Sequence, residues 1–186
     1  ACHACSDFSQ ALGGDCMPRI GGVNLAAWIA GTVAFYAVGM IIYGFTLMDV
    51  WANETLKNHG LLAQDAAPLA GDALFAELAQ IPGSMSEGMA YGLGFLLTLV
   101  TVFGIAFVLK LSKAYSLTAA LGVALVLWVS FGAMTLSYNV LYSSESTVIY
   151  GIDLMHLFLG YMLAAAVIYL IDGKAISGAA APAKPG

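Results

Sequence analysis

The chain has 186 residues, of which 61% are hydrophobic and only 9% charged, whereas a soluble domain carries about a quarter charged residues to meet water. Six Lys and Arg with eleven Asp and Glu cannot cover a water-exposed surface, so the surplus apolar surface is expected to face lipid. The formal net charge of -5 excludes nucleic acid as a partner, because that partner requires clustered cations.

Residues 1–23 form a tail with Cys2, His3, Cys5 and Cys16 in its first sixteen positions. Cys-x-x-Cys is a metal or redox spacing, and four nitrogen and sulfur ligands would suit zinc. The haem-attachment pattern is absent, because Ser6 stands where that pattern needs His. A cytoplasmic tail disfavours a stable disulfide. There is no second Cys-x-x-Cys, and the adjoining Cys2 and His3 are awkwardly placed to hold one ion together. The expectation is reduced, packed thiols without a stoichiometric metal, with zinc on these four residues as the alternative. No basic segment followed by a short apolar stretch precedes the first long hydrophobic run, so the first helix is expected to act as its own insertion signal.

A spanning helix needs about 20 mainly apolar residues, and four runs meet that length: Asn24 to Val50, Met89 to Leu109, Ser116 to Leu141 and Tyr150 to Ile171. They are continuously apolar rather than alternating, which favours helices over a barrel. The expected fold is an all-α integral membrane four-helix bundle occupying residues 24–171. Arg19, Lys110, Lys113, Lys174 and Lys184 fall on one side of such a bundle, with Lys57 alone on the other. The positive-inside rule then places both termini in the cytoplasm and the loop at 51–88 outside. Within that acidic loop, Asp72 to Ile81 sets Leu74, Leu78 and Ile81 at helical spacing, which predicts a short amphipathic helix on the outer interface. Gly88 and Gly92 form a G-x-x-x-G pair of the kind that lets helices approach closely.

The fourth run alone carries ionisable residues inside it. Tyr150, Asp153 and His156 lie three apart and so share a helix face. A carboxylate one turn before an imidazole can orient it, leaving a ring nitrogen for proton relay or for a metal or pigment. The structural alternative is that these residues pin the fourth helix to Ser137 or Asn139 of the third. Asp153 and His156 are therefore the candidate cofactor-binding residues, with bound lipid or pigment as the occupant. No catalytic residue is expected, since no G-x-S-x-G, Walker, dinucleotide or H-E-x-x-H pattern occurs.

Gly39-Met40-Ile41-Ile42-Tyr43-Gly44-Phe45 followed by Trp51 resembles the Gly-x-x-x-Tyr…Trp signature of a small bacterial four-span membrane family, domain of unknown function seventeen sixty-one. Phe131-Gly132, then Ile152-Asp153-Leu154-Met155-His156 leading into Gly160-Tyr161, is similar to the end of the same family's pattern. The resemblance runs from Asn24 to Ile171, implies four spans, and brings no activity. The Cys-rich tail and the long first loop depart from it.

The functional expectation is a non-catalytic accessory subunit of a larger membrane complex in the bacterial inner membrane, bound to other integral membrane subunits and lipid. An energy-converting assembly, photosynthetic or respiratory, is the expected host. The Ala-, Gly- and Pro-rich tail at 172–186 and the first twenty residues have few means of ordering alone and are read as packing on a partner. The alternatives are a small transporter or channel using Asp153 and His156, and a metal-binding redox protein using the cysteines.

Overall fold

Asn24 starts the first span. Its side-chain oxygen accepts from the backbone N–H groups of Ala26 at 2.9 Å and Ala27 at 3.2 Å, satisfying two donors that a helix start leaves open. The computed structural model describes residues 18–83, 86–143 and 145–176. Cys2, His3, Cys5, Cys16 and the end of the C-terminal tail lie outside the described residues. A short hairpin, β1 (Arg19–Ile20) paired antiparallel with β2 (Val23–Asn24), leads into the first helix. Gly21 and Gly22 turn it at φ 58 and 79, a left-handed pair that glycine adopts without a Cβ penalty.

The helices that follow are α1 (Leu25–Ile41), extended by a wider π-type turn at Ile42–Thr46, then α2 (Met48–Asn58) and α3 (Gly71–Leu78). Next come α4 (Glu87–Leu111), α5 (Leu117–Leu127), a second π-type turn at Trp128–Ala133, α6 (Met134–Ser143) and α7 (Thr147–Ile176). Four stretches are long and apolar enough to cross a bilayer: Leu25–Thr46, Gly88–Leu111, Leu117–Ser143 and Thr147–Gly173. The protein is thus an all-α, multi-pass membrane protein.

The span ends differ from those expected from hydropathy. The first stops at Thr46 rather than Val50, because Leu47 leaves helical geometry at φ -122 and α2 restarts after it. Trp51 consequently belongs to a helix and not to a loop. The fourth helix runs past Ile171 to Ile176, so Asp172 is part of the bundle rather than of a tail.

Helix packing rests on small residues, as expected where lipid supplies no apolar drive between helices. Gly31 of α1 is held so close to α4 and α7 that a Cβ there would lie 3.1 Å from both Val102 and Ile168. A Cβ on Gly160 of α7 would sit 2.6 Å from the buried Phe35 ring. Ala27, Ala164 and Ala165 complete this contact, and Val102, Ile105, Ala106 and Leu109 bring α4 against it. The third span joins through Ala120 and Ala124 and is the most peripheral of the four.

The first loop is a small folded cap rather than a connector. Ala52 and Leu56 of α2 bury Leu74 of α3, with Trp51, Leu62, Leu78 and Ile81 around them. The predicted amphipathic helix forms, and its apolar Leu74 and Leu78 pack on α2. Asn53 holds the intervening loop: its side-chain amide donates to the Leu69 carbonyl at 2.9 Å and its oxygen accepts from the Leu69 N–H at 2.7 Å. The cap is tied to the last connection by Ser146, whose hydroxyl donates to Glu54 at 2.8 Å. That bond, and behind it the Lys57 ion pair, holds the Glu54 carboxyl below its usual range.

Candidate functional site: an intramembrane pocket beside His156

The wider turn at Ile42–Thr46 closes through a hydrogen bond from the Leu47 N–H to the Ile42 carbonyl at 2.8 Å. Thr46 caps the loosened carbonyls, its hydroxyl lying 2.9 Å from Ile41 O and 3.2 Å from Ile42 O. Such one-residue insertions re-aim side chains and are common at functional sites. Here the turn carries Tyr43, whose hydroxyl donates to the Asp153 carboxylate across the α1–α7 contact. Trp51 of α2 packs edge-on against the same ring, with centroids 5.9 Å apart.

His156 lies one turn further along α7. Its ring stands edge-on to Tyr43, with centroids 5.1 Å apart at 81°, and to Phe35, at 5.7 Å and 90°. Its Nε2 approaches the α1 backbone so closely that a Cβ on Gly39 would lie 2.9 Å from it. The Gly-x-x-x-Tyr spacing of α1 therefore has a physical reason: Gly39 makes room for the imidazole, and Tyr43, one turn on, supplies the donor for Asp153.

These contacts correct two expectations. Asp153 does not orient His156; it accepts from Tyr43 instead, and among the described residues no hydrogen bond reaches the imidazole. Neither residue is pinned to the third span. Only Tyr150 of the predicted trio reaches it, through a 3.0 Å hydrogen bond between its hydroxyl and that of Ser137. Asn139 instead lines a separate polar hollow of about 380 Å³ with Asn58, His59, Ser143 and Glu145.

Beside His156 is a cavity of about 590 Å³, set between α1 and α4 and reached from the cap by Phe75 of α3. Its walls include Tyr36, Tyr43, Tyr91 and Thr98, with Gly44 and Gly94 as flat stretches. The Tyr36 hydroxyl donates to the Tyr91 carbonyl at 3.0 Å and joins α1 to α4 there. Beyond this cavity Val102, Ile105, Leu109, Ala164 and Ile168 fill the space between α1, α4 and α7, and the buried Thr32 hydroxyl there is spent on its own helix, donating to the Trp28 carbonyl at 2.9 Å.

The opposite end has a second polar cluster, which hydropathy and spacing missed. Arg19 grips Asp172 with two hydrogen bonds, at 2.9 and 2.7 Å, and Asn24 adds a longer one at 3.4 Å. Lys110 reaches over to the Gly21 carbonyl at 3.3 Å. The available signal was a carboxylate directly after an apolar run, at the same end as an isolated Arg. Among the described residues no group of three or more His, Cys, Asp or Glu side chains is placed to hold a metal ion.

Fold and site together define a multi-pass helical membrane protein with a pocket among its spans. Residues 26–169 match the family described as Protein of unknown function (DUF1761), and the chain belongs to that family. Neither a curated protein nor a solved structure matches it.

Proposed function

We propose that the protein is a non-catalytic accessory subunit of a larger membrane assembly, bound to other integral membrane subunits and lipid in the bacterial inner membrane. The observation that carries this reading is the G-x-x-x-G pair of α4. Nothing lies within 4 Å of where a Cβ would stand on Gly88 or Gly92, although both begin a membrane span. Gly31, Gly39 and Gly160 make close helix contacts inside the bundle, and an uncovered pair gives a partner helix the same close approach. Arg19, Lys110 and Lys113 share one end of the bundle, which supports cytoplasmic termini by the positive-inside rule. Energy-converting assemblies are the proposed hosts by analogy, because they gather small helical subunits.

A transporter using Asp153 and His156 is the rival, and the apolar packing beyond the pocket speaks against it, since a path for a polar solute needs polar lining. Mild detergent extraction from native membranes decides between them. The protein should run in a large complex, and the double variant Gly88→Ile, Gly92→Ile should run free while remaining inserted. If the purified protein runs alone, transports a solute in liposomes and loses that transport on Asp153→Asn, the accessory reading fails.

A further inference from the structure

The cavity beside His156 has a composition that restricts its occupant. At about 590 Å³ it falls in the range of small-molecule sites, about 300–1,000 Å³. Ala90, Tyr91 and Leu97, which line it from α4, are exposed on the outside of the bundle, so it opens toward lipid rather than into a sealed core. No described Lys or Arg lines it, so an anionic ligand meets no counter-charge there, and Asp153 is not part of its lining. Gly44 and Gly94 give it flat walls, and Met40, Met48, Tyr36 and Tyr91 offer thioether and aromatic surfaces that favour a planar ring. The polar groups left over are the Tyr91 hydroxyl, on the exposed side, and the imidazole of His156 further in. That imidazole borders the cavity and makes no hydrogen bond with any described residue, and a neutral imidazole always carries one N–H donor. A hydrocarbon chain would leave that donor unanswered at membrane depth, whereas a ring oxygen would satisfy it.

We propose that this pocket binds a membrane-dissolved planar ring bearing a carbonyl oxygen, of the quinone type, with the oxygen accepting a hydrogen bond from His156. The ring lies against the glycine walls of α1 and α4, its apolar tail leaves past Leu97 into the bilayer, and Phe75 covers the ring from the cap. Tyr43 positions His156 by edge contact and does not touch the oxygen. The proposal concerns the pocket alone and holds whether or not the protein has a larger host.

The test uses the full chain, purified in detergent and delipidated, and a short-tailed benzoquinone as the probe. Trp51, in contact with Tyr43, reports binding through quenching, and equilibrium dialysis gives the stoichiometry. Saturable binding of one probe per chain is expected, weakened about ten-fold by His156→Leu through loss of one hydrogen bond and largely restored by His156→Gln. Ala90→Trp, at an exposed lining position, should block the pocket without touching the core and serves if His156→Leu fails to fold. Phosphatidylcholine should not compete. Binding that does not saturate, or that His156→Leu and Ala90→Trp leave unchanged, would overturn the proposal. Displacement of the probe by phosphatidylcholine would overturn it too, in favour of an acyl-chain groove.

Discussion

Asp153 illustrates how much a single partner matters in hydrocarbon. A carboxyl group at membrane depth without a hydrogen-bond donor costs several kcal/mol, in order-of-magnitude terms. Tyr43 supplies that donor from another helix, so the pair is also a cross-link between α1 and α7. Tyr43→Phe keeps the ring that packs on Trp51 and His156 but deletes the donor, and is expected to destabilise the bundle by about 1–3 kcal/mol. Asp153→Asn keeps an acceptor for Tyr43 and should cost clearly less. Thermal unfolding in detergent compares the two variants; equal losses would mean that Asp153 draws its support from elsewhere. The residues of this site were legible from the sequence as unusual, because ionisable groups inside an apolar run stand out. Their pairing was not, since helical spacing gives neighbours on one helix and Tyr43 lies on another.

At the scale of the helices, glycine has two opposite uses here. On Gly160 a Cβ would enter the Phe35 ring, and on Gly104 it would meet nothing within 4 Å. Gly160→Ala is therefore expected to cost about 1–3 kcal/mol by overpacking. Gly104→Ala should be neutral or stabilise by up to about 1 kcal/mol, since Ala is the better helix former. Unfolding of the two variants side by side checks this, and a Gly160→Ala protein as stable as the parent would show that α1 and α7 do not meet at this contact. The positions of the spans were readable from hydropathy alone because each must bury about 20 apolar residues. The two π-type turns were not, because Ile42–Thr46 and Trp128–Ala133 carry no Pro or charge, and the Thr, Ser and Gly they hold are ordinary within an apolar span. The α2–α3 cap was half-readable: period gave α3 its apolar face, while only the fold shows that α2 covers it.

The whole molecule has two differently built ends. One is fastened by the hairpin through Arg19 and Asp172, and the other carries the α2–α3 cap and the pocket. An even number of spans separates Arg19 from Asp172, which is what lets the start and the end of the bundle meet in an ion pair. Glu77 and Lys113 belong to opposite ends, so with Cys2, Cys5 and Cys16 replaced by Ser, single cysteines placed there should be labelled from opposite sides of the membrane by an impermeant reagent, Lys113→Cys from the cytoplasm. Labelling of both from one side would remove the second span, and a reversed pattern would invert the orientation proposed from the basic residues.

Composition and period by themselves determined that this chain lives in a bilayer, that four helices cross it, and that Asp153 and His156 are its unusual intramembrane residues. They determined this because transfer of a segment into hydrocarbon depends on the residues of that segment alone. The tertiary structure decided that Asp153 is held by Tyr43, that Asp172 is held by Arg19, and that His156 faces a cavity between α1 and α4. Those facts depend on which small residues let two helices close together, and on the extra residue in a turn that aims Tyr43. Both are relations between segments, and in lipid they are set by packing and hydrogen bonds rather than by hydropathy.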